Sequence, residues 1–234
     1  AGGLYALLDL ARPMFSFEKS QLYGVTYGAI ISYHNDDVYK SATNQFAESP
    51  GVSLHYNMGK VYDYFYTTFG LVQFLDNGEL GGTMMGVNRD GSSPYKTGWY
   101  YDKIALFGDG DGLSFSPMAG SLDAVAHEFT HGLTGARADF VYLNQSGAIS
   151  ESYSDFFACM IDREDWLIGE DVYTPAIPGD ALRNMADPHN NSVKGSQTWQ
   201  PAHLSEYLVL PDTVDNGGVH YNCGIISKAA YLVT

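Results

Sequence analysis

The feature that most constrains the fold is a five-residue motif in the second half of the chain, His127-Glu128-Phe129-Thr130-His131. Residues four positions apart lie on the same face of an α-helix, one turn from each other. On a helix, both imidazoles can therefore reach one metal ion at about 2.0–2.1 Å. The alternative is a pair of helix-face histidines that only make hydrogen bonds.

The neighbouring sequence can supply the rest of such a site. Ser121 is a suitable N-cap residue, and the helix with the motif is predicted to run from there to about Ala136. A second helix is predicted to start near Gly147, and the short connection makes the two helices antiparallel neighbours. Glu151 can then face the two histidines as the third protein ligand of a catalytic zinc, which keeps one open position. Asp155, one turn later, either accepts the second ring N–H of a ligand histidine or is a solvated helix residue.

Glu128 lies beside the first histidine of the motif and projects into the same cleft. Zinc lowers the pKa of a bound water to about 7, and a nearby carboxylate can take the proton that this water loses. The motif and Glu151 together therefore predict a zinc hydrolase in which Glu128 is the base.

The remaining sequence predicts strands first and helices later. The 26 Gly and 18 Tyr favour short strands and tight turns, and one strand is predicted over Val25–Tyr33. Apolar residues recur every three or four positions over Val52–Thr68 and predict a helix there. The segment Pro175–Pro211 is rich in Pro, Asn, Asp and Gly and predicts a loop. A last helix is predicted from near Asn222, and it is still running at Thr234.

The composition excludes some classes of partner. The net charge is −15 and the sequence pI is about 4.5, so the chain would repel a phosphate backbone, and no nucleic-acid partner is predicted. No apolar run is long enough to span a membrane, and no signal peptide is visible at Ala1. Clustered carboxylates leave room for cations such as calcium, or they serve solubility alone. Cys159 and Cys223 form either a disulfide or two free buried thiols.

Five motifs in order carry a resemblance to a known family. They are the histidine motif and the segments 108–112 (GDGDG), 147–155 (GAISESYSD), 179–183 (GDALR) and 215–224 (DNGGVHYNCG). Over most of its length the chain resembles the thermolysin family of zinc metallopeptidases. The resemblance implies an α+β fold with two lobes and an active-site cleft between them. Residues 1–140 would form a β-rich N-terminal lobe that includes the zinc helix at about 122–136, and residues 141–234 a mainly α-helical C-terminal lobe.

The resemblance also implies cleavage of internal peptide bonds and assigns roles by motif position. Glu128 would be the general base, and Tyr142 and His220 would donate hydrogen bonds to the oxyanion. Asp215 would orient His220, and Arg183 would bind a carbonyl of the substrate backbone. The residues taken singly leave open a core tyrosine, a histidine satisfied by hydrogen bonds and an arginine in a structural salt bridge.

Two further sets of residues follow from the resemblance alone. A subsite for a large hydrophobic residue on the P1′ side would be formed by Phe115, Ala124, Ile168, Val172 and Leu182. Its preference would be broad, because a hydrophobic pocket discriminates by only about 1–3 kcal/mol per methylene. One or more structural calcium ions would be bound by Asp123, Asp162, Asp165, Glu170 and the backbone carbonyl of Leu167. The open alternative for these acids is a solvated rim.

The chain departs from the family pattern in four places. Thr97 and Gly98 stand where the family has an Asn-Ala segment that pairs with substrate, so only backbone pairing would survive. Ser150 replaces an Asn beside the third zinc ligand. Asp162 and Leu167 replace two Glu, which favours a single calcium. The family's first strands and last helices are lacking, so we expect either a fragment or a second chain that completes the C-terminal helices.

These patterns predict a secreted, extracellular zinc endopeptidase that acts on peptides and proteins. The departures leave open a catalytically weak or inactive module of the same fold that binds zinc and calcium and serves binding or structure. A weaker alternative is another zinc hydrolase, such as an exopeptidase. The intact ligand set with Glu128 favours the endopeptidase, because a structural zinc site has no use for an open coordination position.

Overall fold

The computed structural model describes residues 5–6, 8–9, 14–19, 40–43, 45, 49–71, 83–88, 99–101 and 104–234. The strand predicted over Val25–Tyr33 and the predicted substrate-pairing residues Thr97 and Gly98 lie outside this part of the chain. The described part contains strands in its first half and mainly helices in its second half, which is the order that the sequence predicts.

The N-terminal half contributes a mixed sheet with the strand order β2-β3-β5-β7-β6. Its strands are β2 (Leu8–Asp9), β3 (Met14–Lys19), β5 (Thr83–Asn88), β6 (Trp99–Tyr101) and β7 (Ile104–Gly108). The central strands β3, β5 and β7 are parallel, and the edge strands β2 and β6 are antiparallel to their neighbours. Two short strands, β1 (Tyr5–Ala6) and β4 (Lys40–Ser41), form a separate antiparallel pair.

Helix α1 (Ser49–Phe69) lies in the connection between the parallel strands β3 and β5 and packs against both. Parallel strands need such a crossover, and a helix usually supplies it. The apolar stripe predicted over 52–68 is the buried face of α1, where Leu54, Met58, Val61 and Phe65 are fully buried. Phe65 stacks on Phe129 at a ring-centroid distance of 6.1 Å, so α1 supports the helix that carries the histidine motif.

Three helices form the C-terminal half: α2 (Leu122–Arg137), α3 (Asn144–Ile161) and α4 (Asp215–Val233). Ser121 caps α2 as predicted, because its side chain accepts a hydrogen bond from the Ala124 N–H at 3.2 Å. Helix α3 packs between α2 and α4. Its first residue lies three positions before the predicted start.

Helix α4 begins seven residues before its predicted start, and its first turn is not α-helical. Asn216, Gly217 and Gly218 have left-handed backbone angles, and helical geometry resumes after them. A side chain at Gly217 would meet Asn144 Oδ1 at 2.1 Å, so this close approach requires glycine. Periodicity cannot detect such a turn, because it contributes no apolar face.

The segment between α3 and α4 has little regular structure, as predicted. It contains the antiparallel pair β8 (Leu167–Ile168) and β9 (Arg183–Asn184) and a single 3₁₀ turn over Leu204–Glu206. Cys159 and Cys223 are buried free thiols, so the disulfide alternative does not hold. In the part of the chain that the structure describes, no helix has the length and apolar character needed to cross a membrane.

Candidate metal centre and active site

The packing of α2 against α3 brings His127 and His131 next to Glu151. One ligand atom from each residue lies within 4.8 Å of the other two. The two Nε2 atoms are 3.0 Å apart, and the carboxylate oxygens of Glu151 lie 3.3 Å from His127 Nε2 and 3.1 Å from His131 Nε2. The two helices therefore place the three predicted ligands around one point.

These separations suit a single bound ion. Tetrahedral ligands at about 2.0–2.1 Å from one ion are about 3.3 Å from each other, close to the three distances above. Glu151 is fully buried, and its Oε2 makes no hydrogen bond to the described residues, although His127 Nε2 lies 3.3 Å away. A buried carboxylate oxygen without a hydrogen bond is costly unless a cation completes its environment. The donor set of two imidazoles and one carboxylate therefore fits a metal ion.

Asp155 and Arg183 support His127 on the side of its Nδ1 atom, opposite the ligand cluster. Asp155 Oδ1 lies 2.9 Å from His127 Nδ1 and accepts a bond from Arg183 Nη2 at 2.6 Å, while Asp155 Oδ2 accepts from Arg183 Nε at 2.8 Å. Burial would raise the pKa of Asp155, but Arg183 and His127 outweigh it and lower that pKa. The ionised carboxylate fixes the ring so that Nε2 points to the ligand cluster.

The carboxylates around His127 also control its charge. Burial alone would lower its pKa, but Asp155 and Glu151 outweigh burial and raise the pKa of His127 to about 10. Metal binding must displace that proton, so the metal affinity of the site depends on pH.

Ser150 holds the second histidine more weakly. Its Oγ lies 3.4 Å from His131 Nδ1, which is a long hydrogen bond. Weaker support of the site through the replacement of Asn by Ser150 stays a prediction.

Tyr142 and His220 lie on the open side of the ligand cluster. The Tyr142 hydroxyl donates to Glu151 Oε1 and lies 3.2 Å from His220 Nε2. Burial and the nearby Glu151 raise the pKa of Tyr142, so its hydroxyl stays protonated and remains a donor. Tyr142 lies in the loop before α3 and His220 lies in α4, and their side chains meet beside the predicted metal ligands.

Asp215 fixes the orientation of His220. Asp215 Oδ1 lies 2.5 Å from His220 Nδ1, and Oδ2 accepts the His220 backbone N–H at 2.8 Å. Partial burial would lower the pKa of His220, but Glu151 and Asp215 outweigh it and raise that pKa. The left-handed turn between Asp215 and His220 allows the Asp215 carboxylate to reach the imidazole of His220.

A cavity of about 490 Å³ opens over the ligand cluster, within the usual size range of ligand sites. Glu128 lies in its wall, and burial raises the pKa of this carboxyl. Three of the five residues predicted for the apolar subsite line the cavity, namely Ala124, Ile168 and Leu182. Phe115 and Val172 are buried in the core and are not among the lining residues.

The apolar wall of the cavity also includes residues that the sequence did not indicate. These are Phe107 at the end of β7, Met118 in the 3₁₀ turn before α2, and Phe140 after α2. Each is an ordinary hydrophobic residue near the end of an element, so no local pattern distinguishes it from the core.

The acidic residues predicted to bind calcium lie at the start of α2 and in the segment that follows α3. Asp162, Glu170 and Asp171 have carboxylate oxygens within 4.8 Å of one another, and Asp171 was not part of the predicted set. Glu170 Oε2 is buried and has no hydrogen-bond partner in the described structure. Buried Asp123 accepts bonds from the backbone N–H groups of Ala124 and Gly169. Asp171 directly follows the predicted ligand Glu170, and this adjacency was the sequence signal that could have identified it.

The remaining two residues of the predicted calcium set make contacts within the chain. Asp165 Oδ1 accepts the Leu167 N–H at 2.7 Å, and the Leu167 carbonyl accepts a weak bond from Cys159 Sγ at 3.7 Å. Neither residue belongs to the group of three carboxylates defined above.

Comparison with known protein families identifies the family of this chain. Residues 1–135 match the family described as "Thermolysin metallopeptidase, catalytic domain", and residues 138–234 match "Thermolysin metallopeptidase, alpha-helical domain". The chain belongs to the thermolysin metallopeptidase family. This confirms the resemblance seen in the five sequence motifs. The second description agrees with the mainly helical C-terminal half of the chain.

Individual relatives agree with the family assignment. The chain is 41% identical to "Bacillolysin" of Bacillus amyloliquefaciens and 43% identical to "Extracellular elastase" of Staphylococcus epidermidis, over 98% of its own length. It spans 42% and 43% of those two relatives. It is also 38% identical to "Neutral protease NprE" of Bacillus pumilus, over 98% of this chain and 72% of the relative.

A solved structure has a similar fold. The precursor of protealysin, a metalloproteinase from Serratia proteamaculans, superposes with a TM-score of 0.73 at 26% sequence identity. The similarity covers 94% of this chain and 69% of that one.

Proposed function

We propose that this thermolysin family member is a zinc-dependent endopeptidase. The observation that carries the proposal is the convergence of His127, His131 and Glu151 on one point in the wall of a cavity that also contains Glu128. Two imidazoles and one carboxylate are the ligand set of many catalytic zinc sites, which leave the fourth position open. The relatives named as a neutral protease and as an elastase support peptide bonds as the substrate class.

The side chains around the cavity suit hydrolysis of an amide. When bound, zinc supplies a Lewis acid that polarises a carbonyl and makes water a better nucleophile at neutral pH. Glu128 takes the proton of the attacking water and passes it to the leaving amine, a role that its raised pKa favours. Tyr142 and His220 donate hydrogen bonds to the carbonyl oxygen as it gains negative charge. Asp215 holds His220 in the orientation for this donation.

Arg183 is proposed to serve two purposes. Its Nε and Nη2 atoms bind Asp155, which orients the ligand His127. The same guanidinium lines the cavity, where it can also bind a carbonyl of the substrate backbone. The structural salt bridge and the substrate contact are therefore compatible.

The apolar side of the cavity favours a hydrophobic residue on the leaving-group side of the cleaved bond. Ala124, Ile168 and Leu182 line this side, and Phe115 and Val172 lie in the buried core near them. Ala124 is small, which leaves space for a large side chain. Backbone pairing of substrate with Thr97 and Gly98 remains a prediction.

The acidic cluster is proposed to bind one structural calcium. Asp123, Asp162 and Glu170 would contribute carboxylates, together with Asp171 from the structure. The buried Glu170 oxygen without a partner supports a cation there, and hard oxygen ligands suit calcium. Asp165 and the carbonyl of Leu167 stay predicted ligands.

The finer features of organisation are also proposals. We propose two lobes, with the β-rich part within residues 1–140 and the helical part within 141–234. We propose an extracellular location, which the name of the staphylococcal relative supports. A second chain that completes the C-terminal helices stays a prediction. The non-catalytic alternative is not favoured, because Glu128, Tyr142 and His220 all lie beside the ligand cluster.

The test is the hydrolysis of casein by wild type, Glu128→Gln and the matched control Glu164→Gln, which changes an exposed surface glutamate. Loss of a general base costs about 10²–10⁴-fold in rate. We expect at least a 100-fold loss in Glu128→Gln with unchanged zinc content, no loss in the control, and loss in wild type after chelation that zinc restores.

Mass spectrometry of the products of a long peptide completes this test. Internal fragments are expected, whereas trimming from one end would indicate an exopeptidase. Casein hydrolysis that is unaffected by Glu128→Gln or by chelation would refute the proposal.

A further inference from the structure

A buried glutamine connects the irregular segment before α4 to the helix turn that carries His220. Gln200 is 3% exposed, and its backbone N–H donates to the Pro188 carbonyl at 2.8 Å. Its side-chain Nε2 donates to the backbone carbonyl of His220 and lies 3.1 Å from Cys223 Sγ. The Cys223 thiol also donates to the His220 carbonyl, at 3.2 Å. Two donors therefore converge on one carbonyl.

The backbone at Gly224 is shaped to accept this glutamine. A Cβ atom at Gly224 would meet the Gln200 Cβ at 2.6 Å and the Pro201 carbonyl oxygen at 2.7 Å. The segment that carries Gln200 therefore packs directly on the helix backbone, with no side chain between them. This contact fixes the amide of Gln200 beside the His220 carbonyl.

His220 needs an external anchor, because no regular helix precedes it. The three residues Asn216, Gly217 and Gly218 have left-handed backbone angles, so His220 lies in the first regular turn of α4. The first N–H groups of a helix have no acceptor in a preceding turn, and helix ends fray. Asp215 binds the N–H and the ring of His220, and Gln200 binds its carbonyl. The residue is thus held at both ends of its backbone.

We infer that Gln200 is a positioning residue, whose amide fixes the backbone of His220 so that its imidazole Nε2 is aimed at the reacting carbonyl oxygen. The inference rests on the proposed endopeptidase function. A misplacement of about 1 Å can cost about 100-fold in rate. Gln200 itself contacts neither substrate nor the ligand cluster, so its effect passes through His220.

The central variant is Gln200→Met, which keeps the length of the side chain and removes the donor. The matched control is Asn222→Leu, because Asn222 ties the same segment to the same helix through the backbone N–H and carbonyl of Leu208, both at 2.9 Å. Asn222 makes no hydrogen bond to the imidazole of His220, so its substitution reports on the attachment of the segment to the helix and not on the His220 carbonyl.

The readouts separate positioning from stability. Gln200→Met should lower kcat about tenfold at nearly constant KM, whereas Asn222→Leu should leave kcat within about twofold of wild type. In a His220→Ala background, Gln200→Met should cause no further loss, because there is no imidazole left to position. In zinc-depleted protein, amide hydrogen exchange in residues 219–224 should accelerate in Gln200→Met.

Each result either supports or overturns the inference. An equal loss of kcat from Gln200→Met with and without His220, or equal losses in Gln200→Met and Asn222→Leu, would overturn it. If Gln200→Met does not fold, Gln200→Leu removes the same donor with a shorter apolar side chain, and an unchanged kcat in that variant would overturn it. A wild-type chain that cleaves no peptide refutes the proposed function instead, and the exchange measurement then still tests the anchor.

Discussion

Replacing Asp155 by asparagine tests how the ligand cluster is supported. The carboxylate contacts His127 Nδ1 and two nitrogens of Arg183, at 2.6–2.9 Å, and its side chain is only 1% exposed. Asparagine has nearly the same shape but a single acceptor oxygen. In either orientation, its amide N–H₂ faces a donor of Arg183 or the Nδ1–H of His127, and the guanidinium loses its counter-charge.

Two magnitudes follow from these contacts. Breaking a buried ion pair costs about 3–5 kcal/mol, so Asp155→Asn should lower the free energy of unfolding by about that amount. Loss of the acceptor behind a metal-ligating histidine typically costs 10–100-fold in metal affinity, and we expect at least a tenfold weaker affinity for zinc. Urea unfolding measures the first quantity, and competition with a chromophoric chelator measures the second.

The matched control is Glu206→Gln. Glu206 also binds a histidine, since its two oxygens lie 3.1 and 3.0 Å from His189 Nε2, but its side chain is 29% exposed. An exposed pair contributes at most about 1 kcal/mol. The control should therefore unfold nearly like wild type and bind zinc with unchanged affinity. Equal zinc affinities in Asp155→Asn and Glu206→Gln would refute the supporting role of Asp155.

Two further predictions address the apolar pocket and the acidic cluster. Ala124→Leu fills space in the cavity, so the preference for Phe over Ala on the P1′ side should fall at least tenfold. The preference is measured as the ratio of kcat/KM for two matched peptides. An unchanged ratio would exclude Ala124 from the subsite. Burial raises the pKa of Asp123 to about 7 and that of Glu170 to about 8, and the neighbouring acids add to the increase. The folded protein then keeps protons that the unfolded chain releases near pH 4, so without calcium the free energy of unfolding should decrease as the pH rises from about 4 to about 8. Calcium should abolish this decrease at constant zinc, and a slope that calcium does not change would argue against a cation site.

The helices and the ligand cluster were predictable because their signals are local or strongly periodic. The stripe over 52–68 and the spacing of His127 and His131 each specify a helix and the face that it buries. Glu151 could be predicted as the third ligand because a short connection places α3 next to α2. The placement of these residues depends on few contacts that are distant in sequence.

Other features depend on contacts that no local pattern encodes. The left-handed turn before His220 is defined by the close approach of Gly217 to Asn144, 73 positions away in the chain. Gln200 and Phe140 acquire their places only when separate segments pack together. Asp171 joins the acidic cluster through the irregular loop after α3, where sequence periodicity is absent.

We propose that α2 and α3 bring His127, His131 and Glu151 around one zinc ion. Crystals of the protein, measured on both sides of the zinc absorption edge, test it directly. We expect a single strong anomalous peak at about 2.0–2.1 Å from both Nε2 atoms and from a Glu151 oxygen, with no fourth side chain bound. A peak elsewhere, or a Glu151 carboxylate turned away from the two rings, would contradict it.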